Sequence, residues 1–95
     1  MEQNQTQKRS DRPFDGILRI GNKHEKVYLD YIMKNSNTIE KFIIRAIGPN
    51  MEKGKKIANT IEETKKYHID KTEEKEFPMP GTGQTKGLEI YMVRI

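Results

Sequence analysis

Three absences limit what this chain is able to do. There is no cysteine, so neither a disulfide framework nor a thiolate nucleophile is available. Serine occurs only at Ser10 and Ser36, and no carboxylate pair sits beside a histidine in a recognisable catalytic arrangement. No apolar run reaches the roughly 18 residues of a membrane-spanning helix, and the N-terminal residues lack the apolar segment of a signal peptide. We therefore expect a non-enzymatic protein without a membrane span, located inside the cell.

Sites for metals and cofactors are equally scarce. His24 and His68 are far apart in the chain and lack a nearby cysteine or closely spaced carboxylates. The segment from Gly81 to Gly87 superficially resembles a phosphate-cradling loop, but such loops lead from a strand into a helix, and the Gly-Lys-Ser/Thr order is absent. The sequence thus predicts no metal, no cofactor and no small-molecule substrate.

Charged residues are abundant in this chain. Charged residues make up 34% of its 95 residues and hydrophobic residues 33%, so the core is modest and a partner surface is expected to cover part of it. The formal net charge of +4 favours a polyanionic ligand, although basic composition alone is a weak argument. Residues 1–13 are polar and predict a flexible tail, whose Lys8, Arg9 and Arg12 are more simply solvated than bound to phosphate. Residues 14–95 form the single domain.

Hydrophobic spacing in that domain predicts the order β-α-β-α-β-β. A short strand ends near Ile20, and i,i+4 apolar pairs predict a helix from about Glu25 to Lys34. The continuous run Phe42-Ile43-Ile44 predicts a central strand buried on both faces. The next helix is expected to begin with Asn50 as its N-cap and to run to about Lys66.

The C-terminal part predicts two more strands. Residues 68–77 are strand-like only by context, whereas apolar and polar residues alternate from Leu88 to Val93, as in a half-buried strand. Pro78 to Gly87 is rich in proline and glycine and predicts a loop. The expected architecture is a single two-layer α+β domain with two helices on a mixed four-stranded sheet.

Two strand-to-helix junctions point to a ligand. Arg19-Ile20-Gly21-Asn22-Lys23-His24 and Arg45-Ala46-Ile47-Gly48-Pro49-Asn50 each end an apolar run in glycine. Right-handed crossovers would bring both junctions to the same edge of the sheet. Helix N-termini and lysines gathered there favour phosphate groups, because unpaired N–H groups and the helix dipole attract anions. Lys53 and Lys56, on other faces of the second helix, are expected to be free for solvent or phosphate.

These motifs, together with the final Leu88-Glu89-Ile90-Tyr91-Met92-Val93-Arg94, resemble the Alba family of small chromatin and RNA-binding proteins. The resemblance covers residues 17–95, with order and spacing preserved to within a few residues. It implies a homodimer, or a heterodimer with a paralogue, that binds DNA or RNA with little sequence preference. Lys23 matches the family's nucleic-acid-contacting lysine, which is acetylated in some members. The order of elements is also similar to the C-terminal domain of translation initiation factor three, an analogy that again suggests RNA contact.

The chain departs from the family pattern at three places. Asn22 and His24 flank Lys23 where many members have a second basic residue, Pro49 follows the second glycine, and the final hairpin offers only Lys86. We therefore expect backbone contacts with minimal base readout. The candidate nucleic-acid-binding residues are Asn22, Lys23, His24, Lys26, Asn50, Lys53, Lys56 and Lys86.

The sequence is also compatible with other functions. The weak hairpin is compatible with an RNA-directed role, as a ribonucleoprotein subunit or a regulator of translation. A protein-interaction or assembly module with an incidental basic edge belongs to a different class. The expected location is cytoplasmic and chromosome-associated in a prokaryote, or nuclear or cytoplasmic in a eukaryote. The four tyrosines, Tyr28, Tyr31, Tyr67 and Tyr91, are candidates for stacking on unpaired bases, but three occupy helical or helix-end positions where core packing is usual.

Overall fold

The computed structural model describes residues 14–81 and 83–95, so the flexible tail predicted for residues 1–13 lies outside the described part. Two helices pack on a four-stranded sheet. The elements are β1 (Ile17–Arg19), α1 (Glu25–Lys34), β2 (Lys41–Ile47), a 3₁₀ turn (Gly48–Asn50), α2 (Met51–Glu63), β3 (Tyr67–Met79) and β4 (Gly83–Arg94). This order confirms the predicted β-α-β-α-β-β sequence and the α+β class.

The sheet is mixed, with strand order β1-β2-β4-β3. β1 and β2 are parallel, with Leu18 opposite Ile44, whereas β4 is antiparallel to both of its neighbours. Because β1 and β2 are parallel, their C-terminal ends lie at the same edge of the sheet, as the sequence predicted. We call this the junction edge: the Gly21–His24 loop after β1 and the Gly48–Asn50 turn after β2.

α1 has the bounds that its apolar spacing predicts. Tyr28 and Ile32 lie one turn apart and are buried, while Glu25 in the first turn and Lys34 in the last turn complement the helix dipole. The backbone N–H of Asn35 donates to carbonyl oxygens of the last turn and ends the helix. The side chains of Val27 and Tyr31 face outward instead.

α2 packs closely against the sheet through Gly54. A Cβ atom at this position would lie 2.6 Å from the Cβ of Ala46 on β2, closer than real Cβ contacts allow. Ile57, Ala58 and Ile61 continue the buried face of the helix. The helix ends at Glu63, before the predicted Lys66, because Lys65 adopts a left-handed backbone with φ of 67°.

The prediction that β2 is buried on both faces is wrong. Phe42, Ile44 and Ala46 are buried, but Ile43 on the opposite face is only partly covered. Both helices pack on one face of the sheet, so the other face, which we call the open face, has no layer of described residues over it. The strand does occupy the middle of the sheet, between β1 and β4.

The prediction of a loop from Pro78 to Gly87 is also wrong. β3 extends to Met79 and β4 begins at Gly83, so most of this segment forms a long hairpin. Pro78 is tolerated because β3 is the edge strand, where a missing N–H costs no ladder bond. Gly87 is required because the ring of Phe77 covers it, with Cε2 only 2.6 Å from the position of a Cβ.

The interpretation of the helical and helix-end tyrosines as core residues is confirmed for two of the three. Tyr28 and Tyr67 are buried, and the Tyr67 hydroxyl donates to the Ile39 carbonyl at 2.7 Å. Burial raises the pKa of Tyr67, since the anion would lose its hydration. Tyr91 is half-buried on the open face. Tyr31 is exposed, so the core interpretation is wrong for this helical position.

Candidate nucleic-acid interface

The first junction is a short loop held in place by two hydrogen bonds. The Gly21 N–H donates to the Tyr28 hydroxyl at 2.7 Å, so a buried side chain of α1 fixes the end of β1. His24 is the N-cap of α1, and its Nδ1 accepts from the Lys26 N–H at 3.0 Å. Asn22 and Lys23, between these anchors, have exposed side chains. The loop therefore presents Lys23 beside the N-terminus of a helix from a defined backbone.

The second junction differs from the prediction. Gly48 has φ of 60°, which permits the sharp turn, and Gly48–Asn50 form a 3₁₀ turn that continues directly into α2. Asn50 is the N-cap residue of α2, as predicted, but it has helical backbone angles and its side chain makes no capping bond. The preceding 3₁₀ turn orients the chain for the helix instead, and the Met51 N–H donates to the Gly48 carbonyl.

Lys53 joins the two junctions. Its Nζ donates to the Gly21 carbonyl at 2.7 Å and to the Lys23 carbonyl at 2.9 Å. The expectation that Lys53 is free for solvent or phosphate is therefore wrong. Its ammonium still adds positive charge to the junction edge, but its main effect is to hold the Lys23 loop against α2.

Lys26 and Lys56 lie beside this loop and carry weak ion pairs. The Lys26 ammonium is 4.0 Å from Asp30 on the next turn of α1, and that of Lys56 is 3.6 Å from Glu25 across the two helices. Both lysine side chains are largely exposed, and exposed pairs of this kind contribute about 0–1 kcal/mol. A phosphate group can therefore compete for either ammonium.

Lys86 reaches the same end of the molecule from the hairpin. β4 pairs with β2 up to Gly87 opposite Ile47, so the preceding residues of β4 extend past the junction edge. Lys86 is exposed and lies opposite Glu76 on β3. The structure thus brings the exposed side chains of five predicted residues to one end of the molecule: Asn22, Lys23, Lys26, Lys56 and Lys86. The other three, His24, Asn50 and Lys53, lie at the helix starts and the loop contacts described above.

A charged cluster on the open face was missed by the sequence analysis. Glu89 is only 4% exposed, although the alternation of β4 suggested a solvent-facing position. Its carboxylate accepts from Arg45 Nη2 at 2.8 Å, and its other oxygen lies 2.8 Å from Lys75 Nζ. The hydrogen bond from Lys75, followed by that from Arg45, holds the pKa of Glu89 below its ordinary value despite the desolvation that opposes this shift.

This cluster occupies the Arg45 side chain. The guanidinium is committed to Glu89 and lies 5.4 Å from the ring centroid of Phe77. Beside it, Glu73 lies 3.3 Å from Lys71 and 3.5 Å from Lys75. Positive and negative groups are thus paired across the open face. The one signal in the sequence was Arg45 itself, a charge inside an otherwise apolar strand, but its partner depends on strand register.

Residues 14–81 and 83–95 contain neither a metal-ligand cluster nor a helix that could span a membrane. No cluster of three or more histidine, aspartate or glutamate residues is arranged to hold a metal ion in the part of the chain that the structure describes. Among these same residues, neither helix is long and apolar enough to cross a membrane.

Comparison with known proteins identifies the fold. No protein-family model and no curated protein sequence matches the chain. Solved structures do: Alba from Thermoplasma volcanium has a TM-score of 0.72 at 20% identity over 82% of this chain and 99% of its own. The crystal structure of ALBA1 from Trypanosoma brucei has a TM-score of 0.71 at 14% identity, over 88% of this chain and 72% of its own. The described domain has the Alba fold, as the sequence resemblance implied.

Proposed function

We propose that this protein is a non-enzymatic, Alba-type nucleic-acid-binding protein that contacts phosphate groups with little sequence preference. The observation that carries the proposal is the bridge from Lys53 to the Gly21 and Lys23 carbonyls. This bridge holds the two junctions together, so that Lys23 projects beside a helix N-terminus with Lys26 and Lys56 close to it. Fixed cations beside a helix dipole form a surface suited to phosphate. The Alba fold supports the same conclusion by analogy.

The ligand in this proposal is DNA, RNA or both. Positive charge on the exposed lysines acts on any phosphate backbone. Among the described residues, the paired charges of the open face leave no cluster of arginines to read a groove. An RNA-directed role, as a ribonucleoprotein subunit or translation regulator, is therefore the second candidate. This second candidate is favoured because Lys86 is the single lysine on the hairpin strands near the tip. Binding in a DNA groove would require more cations there.

The assembly and location follow the same analogy. We propose a homodimer, or a heterodimer with a paralogue, since two protomers double the cationic surface and cover part of the sheet. In a prokaryote the protein would be cytoplasmic and associated with the chromosome, and in a eukaryote nuclear or cytoplasmic. Acetylation of Lys23 would remove a charge at the centre of the junction edge and weaken phosphate binding.

A competition titration of duplex DNA, duplex RNA and single strands at fixed salt tests this proposal. We expect binding in the absence of any preferred sequence, with contacts to about four to six phosphates per dimer and a logarithmic salt slope of about −4 to −5 on duplex DNA. A slope near zero with retained affinity would remove the electrostatic mechanism. Failure of all three ligands to bind would favour the protein-interaction or assembly module instead.

A further inference from the structure

An apolar cleft opens directly beside Lys23. It lies between β1 and the outer face of α1, encloses about 270 Å³, and is lined by Phe14, Leu18, Lys23, Val27, Tyr28 and Tyr31. Its volume is slightly below the roughly 300–1,000 Å³ of pockets for drug-sized ligands, so it suits a smaller group. Lys23 supplies the only charged side chain among the residues that line it.

Two walls of this cleft are apolar side chains that the fold leaves exposed. Val27 is 48% exposed and Tyr31 is 40% exposed, one turn apart on α1. Met79 and Ile95, the other large exposed hydrophobic side chains among the described residues, lie at the hairpin end and the last residue of the chain. Val27 and Tyr31 therefore stand out as an apolar pair in the middle of a regular helix.

Tyr31 is the aromatic ring of the cleft that is open for stacking, whereas Tyr28 is buried. Phe14 and Tyr31 make an edge-type contact, with ring centroids 5.6 Å apart and planes at 63°, and Tyr31 remains 40% exposed. Tyr28 is fixed by its hydrogen bond to Gly21. An aromatic wall next to a lysine is the combination that binds single-stranded nucleic acid, because bases stack on the rings while the ammonium contacts the adjoining phosphate.

We propose that this cleft holds an unpaired base of a single-stranded DNA or RNA whose neighbouring phosphate contacts Lys23. This inference rests on the proposed function and names unpaired strands as a ligand class for the same site. A second protein chain is the poorer occupant, because a stable protein interface buries about 800 Å² per partner and the cleft exposes only two large apolar side chains. The phosphate next to the bound base would also pair with the positive charge of Lys23 at the rim of the cleft.

The test compares two labelled strands of equal length, oligothymidine and the same strand with abasic sites, which have equal numbers of phosphates. We expect the wild-type protein to bind the base-bearing strand about tenfold more tightly. Tyr31→Ala should remove this preference with little effect on the abasic strand, whereas Tyr31→Phe, which keeps the ring, should retain it. Val27→Ser, which leaves the ring contacts of Phe14 and Tyr31 in place, should reduce the preference.

Salt dependence and mass separate the possible outcomes. Tyr31→Ala should leave the salt slope unchanged, whereas Lys23→Ala should reduce it by about 0.7 on a single strand. Equal affinity of the wild type for both strands would overturn the base-binding cleft and leave the proposed phosphate contacts intact. Absence of binding to strands and duplexes alike would overturn the proposed function as well. A change of assembly mass in Tyr31→Ala by analytical ultracentrifugation would show that the cleft holds a second chain, which also overturns the inference.

Discussion

Lys23 and Lys86 carry the same charge in different electrostatic surroundings. Lys23 lies beside the N-terminus of α1, on a loop fixed by Lys53, whereas Lys86 lies on β4 opposite Glu76. The sequence predicted both residues as phosphate contacts. It placed Lys86 on a flexible loop, however, and predicted that Lys53 makes no contact within the protein. The structure changes the reason for ranking them: the helix dipole favours a phosphate at Lys23, and the neighbouring carboxylate opposes one at Lys86.

We expect Lys23→Ala to weaken binding to duplex DNA by about 1 kcal/mol per protomer, and more than Lys86→Ala does. Both side chains are exposed, so neither substitution should disturb the fold. Fluorescence anisotropy on one labelled duplex, repeated on the matching single strand, measures the difference. A larger loss in Lys86→Ala would identify the hairpin as the main contact and contradict the placement of the site at the junction edge.

Glu89 is a residue whose role depends on its partners across the sheet. Glu89→Gln removes the negative charge that Arg45 and Lys75 share, and we expect it to lower the free energy of unfolding by about 2 kcal/mol. Both cations are partly exposed and can recover some hydration, so the loss should stay below that of a fully buried pair. Glu63→Gln, an exposed control with the same change in charge, should have little effect. Urea unfolding compares them; equal stabilities would contradict the role of Glu89.

The same substitution has a pH signature. The pKa of Glu89 is lowered in the folded state, mainly by Lys75 and then by Arg45, so its stabilising contribution is complete above the ordinary pKa of 4.5. That contribution is lost as the pH falls through the lower folded pKa. We therefore expect the stability difference between wild type and Glu89→Gln to be constant near neutrality and to shrink below about pH 4.5. Unfolding midpoints measured from pH 7 to pH 3 check this, and a difference that grows toward low pH would contradict it.

At the scale of elements, the start of each helix followed local patterns, while the hairpin depended on distant neighbours. α1 has the predicted bounds because its caps and apolar pairs are close in sequence. The hairpin forms although its strands contain proline and glycine, which usually disfavour strands. It does so because β3 is an edge strand and Phe77 covers Gly87. The contact between α2 and the sheet likewise depends on residues from two elements.

Gly54→Ala tests that contact. In an isolated helix the substitution would be favourable by about 1 kcal/mol, but here the new Cβ would lie 2.6 Å from that of Ala46. We expect the helix to be pushed from the sheet and the protein to be destabilised by about 1–3 kcal/mol. Asn59→Ala, at an exposed position of the same helix, should instead be slightly stabilising. Thermal unfolding of both variants measures the contrast, and a stabilised Gly54→Ala protein would show that the packing is loose.

At the scale of the whole molecule, the uncovered side of the sheet is the main feature. A groove of about 590 Å³ crosses the open face, with Ile17, Ile43, Tyr91 and Val93 among the residues that line it. A chain of 95 residues has a modest core, so covering this apolar surface with a second protomer would add substantially to burial. The two helices already occupy the other face.

We expect sedimentation equilibrium at micromolar concentration to give twice the 11.1 kDa mass of one chain. Ile43→Asp, in the middle of the open face, should shift this equilibrium to monomer, because an unpaired carboxylate would enter the apolar contact. Ile95→Asp, at the exposed last residue, serves as the control and should remain dimeric. Circular dichroism checks that both variants are folded. A wild-type monomer would contradict the dimer, and a dimeric Ile43→Asp would place the interface elsewhere.

The sequence by itself determined the order of elements, the class of the fold, the parallel pair of strands and the position of Lys23 at a helix N-terminus. Except for β3, which is strand-like only by its context, these properties follow from spacings of two to four residues and from glycines that end strands. They can therefore be predicted without knowledge of distant contacts. Tertiary structure decided which cations are available. Lys53 is bound to carbonyls some 30 residues away, and Arg45 pairs with Glu89 at a separation of 44 residues. Such pairings depend on strand register and helix packing. The free energy of the whole fold determines both, and the local sequence pattern does not.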